Sequence, residues 1–370
     1  MPDAYNPTPP GVGGRHAAPT SRLVIGGAAL AVVMVLVGAA AAFADHGSPD
    51  PSPAAASAAS ATVAGTRSPS VAPRAPSPSV RVSSSPAVKP STVPVKPRIS
   101  SAPATKPGGF TRTFFDGFDG VSGSGLNKSR YRYDTGPGSK FGTGEIETMT
   151  DSTRNVFHDG QGHLVLKALR NGDDWTSGRF ETNSAGFGAA AGGVVRMEAS
   201  IQQPDVTRAN GAGYWPAFWM LGDGLRNGGS WPSIGEVDIL EDINGRSSTF
   251  GTLHCGSNPG GPCGESTGIG SGEHACPGCQ KGFHTYAVEI DRSARPERIR
   301  WYLDGDNYFT LKQDRLDART WSNAVDHPFF IIFDLAIGGG FPDAFGGGPN
   351  GDTISGGEMK IDYLAVYNKS

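Results

Sequence analysis

Residues 109–370 of the 370-residue chain are predicted to form an all-β domain, a two-sheet β-sandwich of the jelly-roll type. Three observations predict this fold. Short segments alternate apolar and polar residues, as strands do when one face is buried, and turn-forming residues separate them every ~8–15 residues. No long amphipathic helical pattern is visible. A sandwich of about 260 residues can still be a single domain.

The predicted strands are of two kinds. Apolar and polar residues alternate over 163–168, 194–201 and 298–303, which predicts strands whose two faces differ. Residues 329–337 and 359–367 are apolar at nearly every position. That pattern is typical of strands covered on both sides.

The composition indicates that the chain consists of two parts with different compositions. Hydrophobic residues make up 37%, with 54 Gly and 29 Pro, yet 18 Phe and 6 Trp indicate a substantial core. The formal net charge of −3 excludes a strongly basic nucleic-acid binder as the default class. Four Cys in a chain of this length exclude a disulfide-dense mini-domain.

The N-terminal part of the sequence predicts export. Residues 1–22 are polar and form a predicted cytoplasmic segment, whereas residues 23–44 carry no charge and approach the ~20 residues that span a bilayer. Ala42-Phe43-Ala44 also fits a cleavage site, so residues 23–44 are a signal peptide or a transmembrane anchor. Basic residues lie before this segment and acidic residues after it, which places the rest outside the cytoplasm in both cases. We therefore expect a secreted or cell-surface protein that touches a membrane only through residues 23–44, if these are uncleaved.

Residues 45–108 predict a disordered linker. They are rich in Pro, Ser and Ala and contain no aromatic residue, so they cannot build a core. The scattered basic residues of this segment either attract an acidic cell surface or keep the linker solvated. The predicted β-rich domain then begins at residue 109.

The most informative segment is 231–241, which contains three acidic residues. On a regular strand, Glu236 and Asp238 share one face, and Glu241 would fall on the opposite, apolar face, where a lone carboxylate is unfavourable. A β-bulge after Asp238 inserts one residue and returns Glu241 to the face of the other two acids. We therefore predict a bulged strand with three carboxylates on one face.

Three carboxylates on one face suit glycoside hydrolysis by double displacement. One attacks the anomeric carbon, while another, about 5–5.5 Å away, protonates the leaving oxygen and then activates water. Spacing alone leaves two other interpretations open. The acids can form a solvated face, or Asp238 and Glu241 can bind Ca²⁺ with Asp242 and Asn244.

The motif Glu236-x-Asp238-x-x-Glu241, preceded by Trp-Pro-Ala-Phe-Trp-Met, resembles glycoside hydrolase family 16 in its bulged, laminarinase-like subgroup. The resemblance covers nearly all of 110–370. Further motifs lie in the family's order at 114–118, 155–164, 177–179, 301–305, 335–339 and 361–367. The resemblance implies a jelly roll with a substrate cleft across its concave face.

The resemblance also implies roles for the three acids. Glu236 would be the nucleophile, Asp238 an assisting acid and Glu241 the general acid/base, with no cofactor for catalysis. At two positions the sequence departs from the family. Asp334 replaces the usual Asn and Phe341 the usual Trp, so a sugar contact on that side of the cleft can differ.

The resemblance further implies a structural Ca²⁺ site. Asp362 would supply the carboxylate, and backbone oxygens near Gly117 and Gly162 the other ligands. The alternative is that Asp362 is simply a surface acid on the last strand.

Five residues are candidate substrate contacts. Trp215 and Trp231 flank the acidic strand and can stack on the apolar face of a pyranose, whereas Trp219 fits the core equally well. His254 is expected on the neighbouring strand with its ring aimed at the cleft, where the family has a sugar-contacting His. Arg179, in a Ser-Gly-Arg motif, is included by resemblance.

The four Cys lie within one stretch of about 25 residues. Outside the cytoplasm two disulfides are expected, and short loops favour Cys255–Cys263 and Cys276–Cys279, although four Cys allow three pairings. The Cys-Pro-Gly-Cys spacing of the second pair also fits a zinc site.

These features predict a monomeric, retaining endo-hydrolase of β-1,3-linked glucan. Its partner is a β-glucan polysaccharide rather than a nucleic acid. Three alternatives stay open: a hydrolase of mixed-linkage β-glucan or β-galactan, a transglycosylase, and a non-catalytic β-glucan-binding protein.

Overall fold

The structure is a computed structural model that describes residues 107–370. The predictions for 1–22, for 23–44 and for nearly all of the linker therefore lie outside the described residues. The strands, in chain order, are β1 (Thr111–Asp116), β2 (Tyr131–Tyr133), β3 (Gly136–Pro137), β4 (Thr148–Met149), β5 (Val156–His158), β6 (Leu164–Lys167), β7 (Leu169–Asn171), β8 (Asp174–Ser177), β9 (Arg179–Thr182) and β10 (Val194–Gln202). They continue with β11 (Tyr214–Gly222), β12 (Glu236–Glu241), β13 (Ser248–His254), β14 (Ile269–Gly270), β15 (His274–Ala275), β16 (His284–Asp291), β17 (Arg298–Leu303), β18 (Asp306–Lys312), β19 (Phe329–Ile337) and β20 (Glu358–Lys369).

Two eight-stranded antiparallel sheets carry the fold. The acidic sheet, named for the acids of β12, has the order β14-β13-β12-β11-β19-β9-β2, with β15 beside β13. The opposite sheet has the order β18-β17-β16-β10-β20-β6-β5, with β1 beside β20. A small sheet, β3-β4-β8-β7, contains a parallel pair formed by β4 and β8.

Side chains of both sheets meet in one hydrophobic core. Met197 and Val288 from the opposite sheet and Phe218, Val237 and Phe333 from the acidic sheet are fully buried in the same cluster. The rings of Phe218 and Phe333 stack with their centroids 4.7 Å apart. Because each sheet can bury its apolar face only against the other, the arrangement is the two-sheet sandwich that the alternating pattern predicts.

Individual strands follow the sequence pattern with one informative difference. Residues of β17 alternate between buried and half-buried, and every residue of β19 is buried, as predicted. In β10, by contrast, the outward-facing Arg196 and Glu198 are buried like the apolar Met197 between them. They are covered by neighbouring charged and aromatic side chains of their own sheet face, which the alternation alone does not reveal.

The helices are short. Asp317 caps α1 (Ala318–Val325) by accepting hydrogen bonds from the backbone N–H groups of Arg319 and Thr320, and α2 spans Gly340–Ala344. Three 3₁₀ turns lie at Gly138–Lys140, Asp223–Asn227 and Gln313–Arg315. Within 107–370, no helix combines the length and the apolar character needed to cross a membrane.

A tryptophan of the opposite sheet reaches the main chain of the acidic strand. Trp301 on β17 donates its Nε1–H to the carbonyl oxygen of Asp238 over 2.7 Å. Gly251 on β13 makes room for this contact, because a Cβ there would lie 2.5 Å from Cδ1 of Trp301. Strand β12 is thus held by a contact with the opposite sheet as well as by its neighbours in its own sheet.

Candidate active site

The acidic strand β12 carries the predicted bulge. Opposite β13, Asp238 pairs with Thr252 and Glu241 with Phe250, so two residues of β12 face one of β13. Opposite β11, the register shifts by one residue between Asp238 and Leu240. The bulge turns two consecutive apolar side chains, those of Ile239 and Leu240, into the core, where both are fully buried. The three acids therefore share the outward face of the sheet, and the prediction is confirmed.

Each outer acid of this strand receives an indole N–H group. Trp231 donates its Nε1–H to Oε2 of Glu236 over 3.1 Å, and Trp215 donates to Oε1 of Glu241 over 3.0 Å. Both rings remain partly exposed beside the acids. The sequence placed these two tryptophans near the acids as stacking platforms, and the structure adds that they orient the carboxylates.

His254 stands at the end of β13, the strand next to β12, as predicted, and the register places it directly opposite Glu236. Its Nε2 lies 3.4 Å from Oδ2 of Asp238 and 3.9 Å from Oε1 of Glu236. Its Nδ1 lies 2.7 Å from a buried carboxylate that the sequence did not point to, that of Glu265. Burial alone would lower the pKa of His254, but hydrogen bonds to Asp238 and Glu265 raise it to about 12.

Burial sets the charge state of the outer acids. Desolvation, followed by the negative charge of Asp238, raises the pKa of both Glu236 and Glu241 well above the usual value. The imidazolium of His254 opposes this rise, and among the described residues only Glu236 of the two lies within ion-pair distance of it. Of the two raised pKa values, that of Glu236 is the one that His254 holds down at ion-pair distance, so Glu236 gives up its proton more readily and Glu241 keeps it.

A second group of side chains lies on the neighbouring strands β11, β19 and β9. Trp219 donates its Nε1–H to Oδ1 of Asp334 over 2.7 Å, and the guanidinium of Arg179 lies 4.8 Å from the Trp219 ring centroid. Arg179 also forms an ion pair with Asp134, at 3.3 Å, and lies over the ring of Phe141. Of the two interpretations of Trp219, its half-buried ring and its contact with Arg179 place it at the outward face rather than in the core.

The residue that departs from the family's Asn lies within this second group. Asp334 is 5% exposed, and its burial raises its pKa to about 6, although Arg179 acts in the opposite direction. The second departure, Phe341, contacts Trp215 edge to face, with ring centroids 5.8 Å apart. Phe341 therefore lies beside the tryptophan that donates to Glu241, whereas Asp334 lies in the group formed by Trp219 and Arg179.

Two buried acids next to this group were missed by the sequence analysis. Burial, followed by like charge, raises the pKa of Glu145 to about 7 and that of Glu147 to about 8. One oxygen of each has no hydrogen-bond partner in the structure, whereas Ile146 between them is 54% exposed. The signal was present in the Glu-Ile-Glu alternation, but the usual rule that apolar residues point inward assigns it to the wrong face.

Both predicted disulfides are present, joining Cys255 to Cys263 and Cys276 to Cys279. The second pair lies close to His284 in a geometry that could hold a metal ion, but its sulfurs are bonded to each other rather than available as thiolates. The structure therefore favours the disulfide over the zinc alternative.

The calcium loop considered for the acidic strand is not supported by the side chains that it needs. Asp242 accepts hydrogen bonds from the backbone and side chain of Ser248, and Oδ1 of Asn244 accepts one from Gly213. Both residues are buried and engaged with protein groups rather than facing Asp238 and Glu241.

The three predicted calcium ligands belong to segments next to the ends of β1 and β6 and to the part of β20 between their pairings, in the opposite sheet. Strand β1 ends opposite Leu364 and strand β6 begins opposite Ile361, so Asp362 lies on β20 where one neighbour gives way to the other. Gly117 directly follows β1, and Gly162 lies two residues before β6. The register against β10 also shifts between Ile361 and Tyr363, which marks Asp362 as the extra residue there.

Known proteins share these features. Residues 204–276 match the family model described as "XgeA-like, catalytic GH16 domain". A β-glucanase of Rhodothermus marinus is 31% identical over 262 residues, which cover 66% of this chain and 81% of the relative. A glucan endo-1,3-β-glucosidase of Cryptopygus antarcticus is 31% identical over 62% of this chain and 82% of its own length.

Solved structures agree with the sequence relatives. An endo-1,3-β-glucanase of Streptomyces sioyaensis is 49% identical, with a TM-score of 0.70 over 73% of this chain and 100% of that one. The laminarinase of Rhodothermus marinus is 28% identical, with a TM-score of 0.56 over 70% of this chain and 97% of that one. The sandwich and its acidic strand are thus those of a glycoside hydrolase. The chain belongs to glycoside hydrolase family 16, among its laminarinase-like members.

Proposed function

We propose that the chain is a retaining endo-hydrolase of β-1,3-linked glucan. The observation that carries this proposal is the bulge in β12, which sets Glu236, Asp238 and Glu241 on one sheet face with an indole N–H on each outer acid. The printed names of the relatives, endo-1,3-β-glucanase and laminarinase, support β-1,3-glucan as the substrate.

The surroundings of the outer acids assign their roles in the first step. Glu236, beside the imidazolium of His254, is the outer acid that gives up its proton more readily, so its carboxylate attacks the anomeric carbon. Glu241, without a cation at ion-pair distance among the described residues, holds the proton and delivers it to the departing glycosidic oxygen. This step leaves a glycosyl ester on Glu236 and a carboxylate on Glu241.

The second step uses the same groups in reverse. The Glu241 carboxylate takes a proton from water, and that water attacks the anomeric carbon and releases Glu236. Two inversions at one carbon give net retention. Asp238 lies between the two acids and contacts His254, so it keeps the imidazolium in place as the charge on Glu236 disappears and returns.

Hydrolysis of a substrate panel tests this proposal. The full chain is incubated with laminarin, lichenan, galactan and agarose, and new reducing ends and the anomer formed first are followed by NMR. We expect reducing ends from laminarin, with the β-anomer first and with Glu236→Gln as the inactive control. Release from galactan or agarose alone would replace the substrate assignment, and binding of laminarin without release would identify a glucan-binding protein.

We also propose a structural Ca²⁺ ion at the junction of β1, β6 and β20. Asp362 would supply a carboxylate oxygen, and the chain next to Gly117 and Gly162 would supply carbonyl oxygens, which are the ligands that Ca²⁺ prefers. The ion would stabilise the fold and take no part in the reaction. Chelation by EGTA should lower the melting temperature and added Ca²⁺ should restore it, whereas Asp362→Asn should melt alike in both.

Export is proposed from the sequence of residues 1–44, which lies outside the described residues. N-terminal sequencing of the protein made by its native host distinguishes the two forms. A new N-terminus near Asp45 would identify a secreted enzyme, and an intact N-terminus in the membrane fraction would identify an anchored one. We further propose that the catalytic domain is a monomer, which light scattering of the purified protein tests.

A further inference from the structure

Glu265 is a buried carboxylate that the reaction above does not use. It is 6% exposed and lies just beyond the disulfide loop that Cys255 and Cys263 close. Its Oε1 accepts the backbone N–H of Cys255 over 2.8 Å, and its Oε2 lies 2.7 Å from Nδ1 of His254. The backbone N–H and carbonyl groups of Glu265 both form hydrogen bonds with Gly260, so the loop holds the main chain of this residue in place.

We propose that Glu265 is a positioning residue that holds His254 as an imidazolium against the acids of β12. The inference rests on the proposed function, because it concerns the charge state of the nucleophile. It makes the disulfide loop part of the catalytic apparatus, although no atom of Glu265 faces the acids themselves.

Both nitrogens of His254 lie beside carboxylates. Glu265 approaches Nδ1 from the loop, and Asp238 and Glu236 approach Nε2 from β12. A carboxylate can only accept hydrogen bonds, and a neutral imidazole has only one N–H to give. The ring satisfies both sides only when both nitrogens are protonated, and this agrees with the raised pKa of His254.

Glu265 determines whether the ring of His254 can lose a proton and become neutral. Without a carboxylate at Nδ1, a single N–H directed at Asp238 would suffice, and the ring could become neutral. The positive charge 3.9 Å from Glu236 would then be lost, while burial and Asp238 would still raise the pKa of Glu236. The nucleophile would stay protonated to higher pH.

The segment that follows the disulfide loop leaves the ring of His254 little freedom to move. Gly268 packs so closely that a Cβ there would lie 3.0 Å from two atoms of the His254 ring, and the Trp231 ring lies 5.8 Å away. The disulfide joins Cys255, the residue after His254, to Cys263, two residues before Glu265. The ring and its carboxylate partner therefore lie next to the two ends of one covalent link.

Glu265→Gln in the full chain tests the proposal. The amide keeps the size of the side chain but cannot accept from both Cys255 and His254 with the same two atoms. We expect the acid limb of the kcat/KM profile on laminarin to move upward by about one pH unit, with KM nearly unchanged. ¹⁵N NMR of the histidine ring should show His254 losing a proton within the measured pH range.

Three further variants separate positioning from a merely structural role. In a His254→Gln background, Glu265→Gln should have no further effect on the acid limb, because both changes remove the same charge. Asp304→Asn removes an equivalent contact, 2.6 Å from Nδ1 of His284, and should leave the profile unchanged. Glu265→Asp keeps the charge at a shorter reach and should shift the profile less than the amide does.

A wild-type pH profile for Glu265→Gln, or effects of the two substitutions that add, would overturn the proposal. Should Glu265→Gln unfold, the Glu265→Asp variant decides, since an unshifted His254 signal there is then the contrary result. The NMR titration needs no substrate. An inactive protein in which His254 still titrates as expected would contradict the proposed function and leave this inference intact.

Discussion

On the outward face of the opposite sheet, buried carboxylates pair with guanidinium groups, whereas on the outward face of the acidic sheet only one imidazole lies beside the acids of β12, at ion-pair distance from Asp238 and Glu236. Arg196 lies 2.7 Å from Glu198 and 3.2 Å from Glu289, and Arg300 lies 3.0 Å from both Glu289 and Asp291. Within 107–370, no guanidinium lies at ion-pair distance from the acids of β12. The two clusters use similar acidic residues at similar depth. They differ in their partners, because the acids of the opposite sheet lie beside guanidinium groups and those of β12 lie beside one another.

The difference shows what each cluster is for. A buried carboxylate that has a guanidinium partner stays ionised, and the loss of either partner leaves an uncompensated charge. A buried carboxylate beside other carboxylates is destabilised as an anion, so its proton is available for chemistry near neutral pH. The opposite sheet uses buried charge to hold its strands together, and the acidic sheet uses it to move protons.

The largest expected effect is the loss of activity when an acid of β12 is replaced, compared with the replacement of an acid in the opposite sheet. Glu236→Gln should lower kcat on laminarin by at least about 10³-fold with little change in melting temperature, because the amide cannot form the ester. Glu289→Gln should keep kcat and lose about 3 kcal/mol of unfolding free energy, because Arg196 and Arg300 lose a partner. Kinetics and urea unfolding of both variants check this pair. Equal loss of activity in the two would contradict the distinction.

Glu241→Ala tests the two proton transfers that are assigned to Glu241. Activity on laminarin should fall by about 10²–10⁴-fold, because the leaving oxygen receives no proton. With an activated aryl glycoside, azide should restore turnover and give a glycosyl azide, since this leaving group needs no proton and azide replaces the activated water. Wild-type activity on laminarin, or no rescue with azide, would refute the role given to Glu241.

Deletion of Leu240 should lower thermal stability more than it lowers hydrolytic activity. It gives the regular Glu-x-Asp-x-Glu spacing, which keeps three acids on one face but removes a fully buried side chain and shifts the following residues. We expect a marked loss of thermal stability with hydrolysis still measurable, because the turn at Asn244-Gly245 can absorb the shift. Calorimetry and laminarin assays check both. Unchanged stability would contradict the packing that the bulge provides.

The smallest expected effect concerns stability against pH. The pKa of Glu147 is raised to about 8 by burial, so between pH ~4.5 and ~8 the folded state binds more protons than the unfolded state. The unfolding free energy should therefore fall as pH rises, by up to about 1.4 kcal/mol per pH unit for one such group. Glu147→Gln should reduce this slope and be the more stable protein at pH 8.

Asp291 supplies the opposite control. Although burial acts to raise its pKa, hydrogen bonds from Ser293 and the charge of Arg300 lower it. Its contribution is present above the unfolded pKa and lost as pH falls through the folded pKa. Asp291→Asn should therefore be destabilised at neutral pH and approach the wild type in acid. Urea unfolding at pH 3, 5 and 8 compares the two variants, and parallel curves would contradict both assignments.

The sequence predicted those features that follow from local spacing. The parity of Glu236 and Glu241 predicted the bulge, the short loop after β12 placed His254 on the neighbouring strand, and short separations predicted both disulfides. The alternation of apolar and polar residues and the spacing of the turns predicted the sandwich. These properties depend on a few neighbouring residues and on the period of the strand.

Other features of the site depend on how distant segments meet. The contact of Glu265 with His254 follows from the path of a Gly- and Pro-rich loop, which no periodicity describes. The burial of Glu145 and Glu147 reverses the usual alternation, because the segment packs beside other polar groups. Such contacts become visible only once the sheet has assembled.

The side chain of Trp301 reaches from the opposite sheet to the acidic sheet and donates a hydrogen bond to the carbonyl oxygen of Asp238. A site built on surface loops can melt locally while the rest of a domain stays folded. Here the main chain between the acids is bound to the far sheet, so the acids cannot separate unless the sheets do. Loss of activity on heating should therefore coincide with global unfolding, and the catalytic geometry belongs to the same cooperative unit as the core.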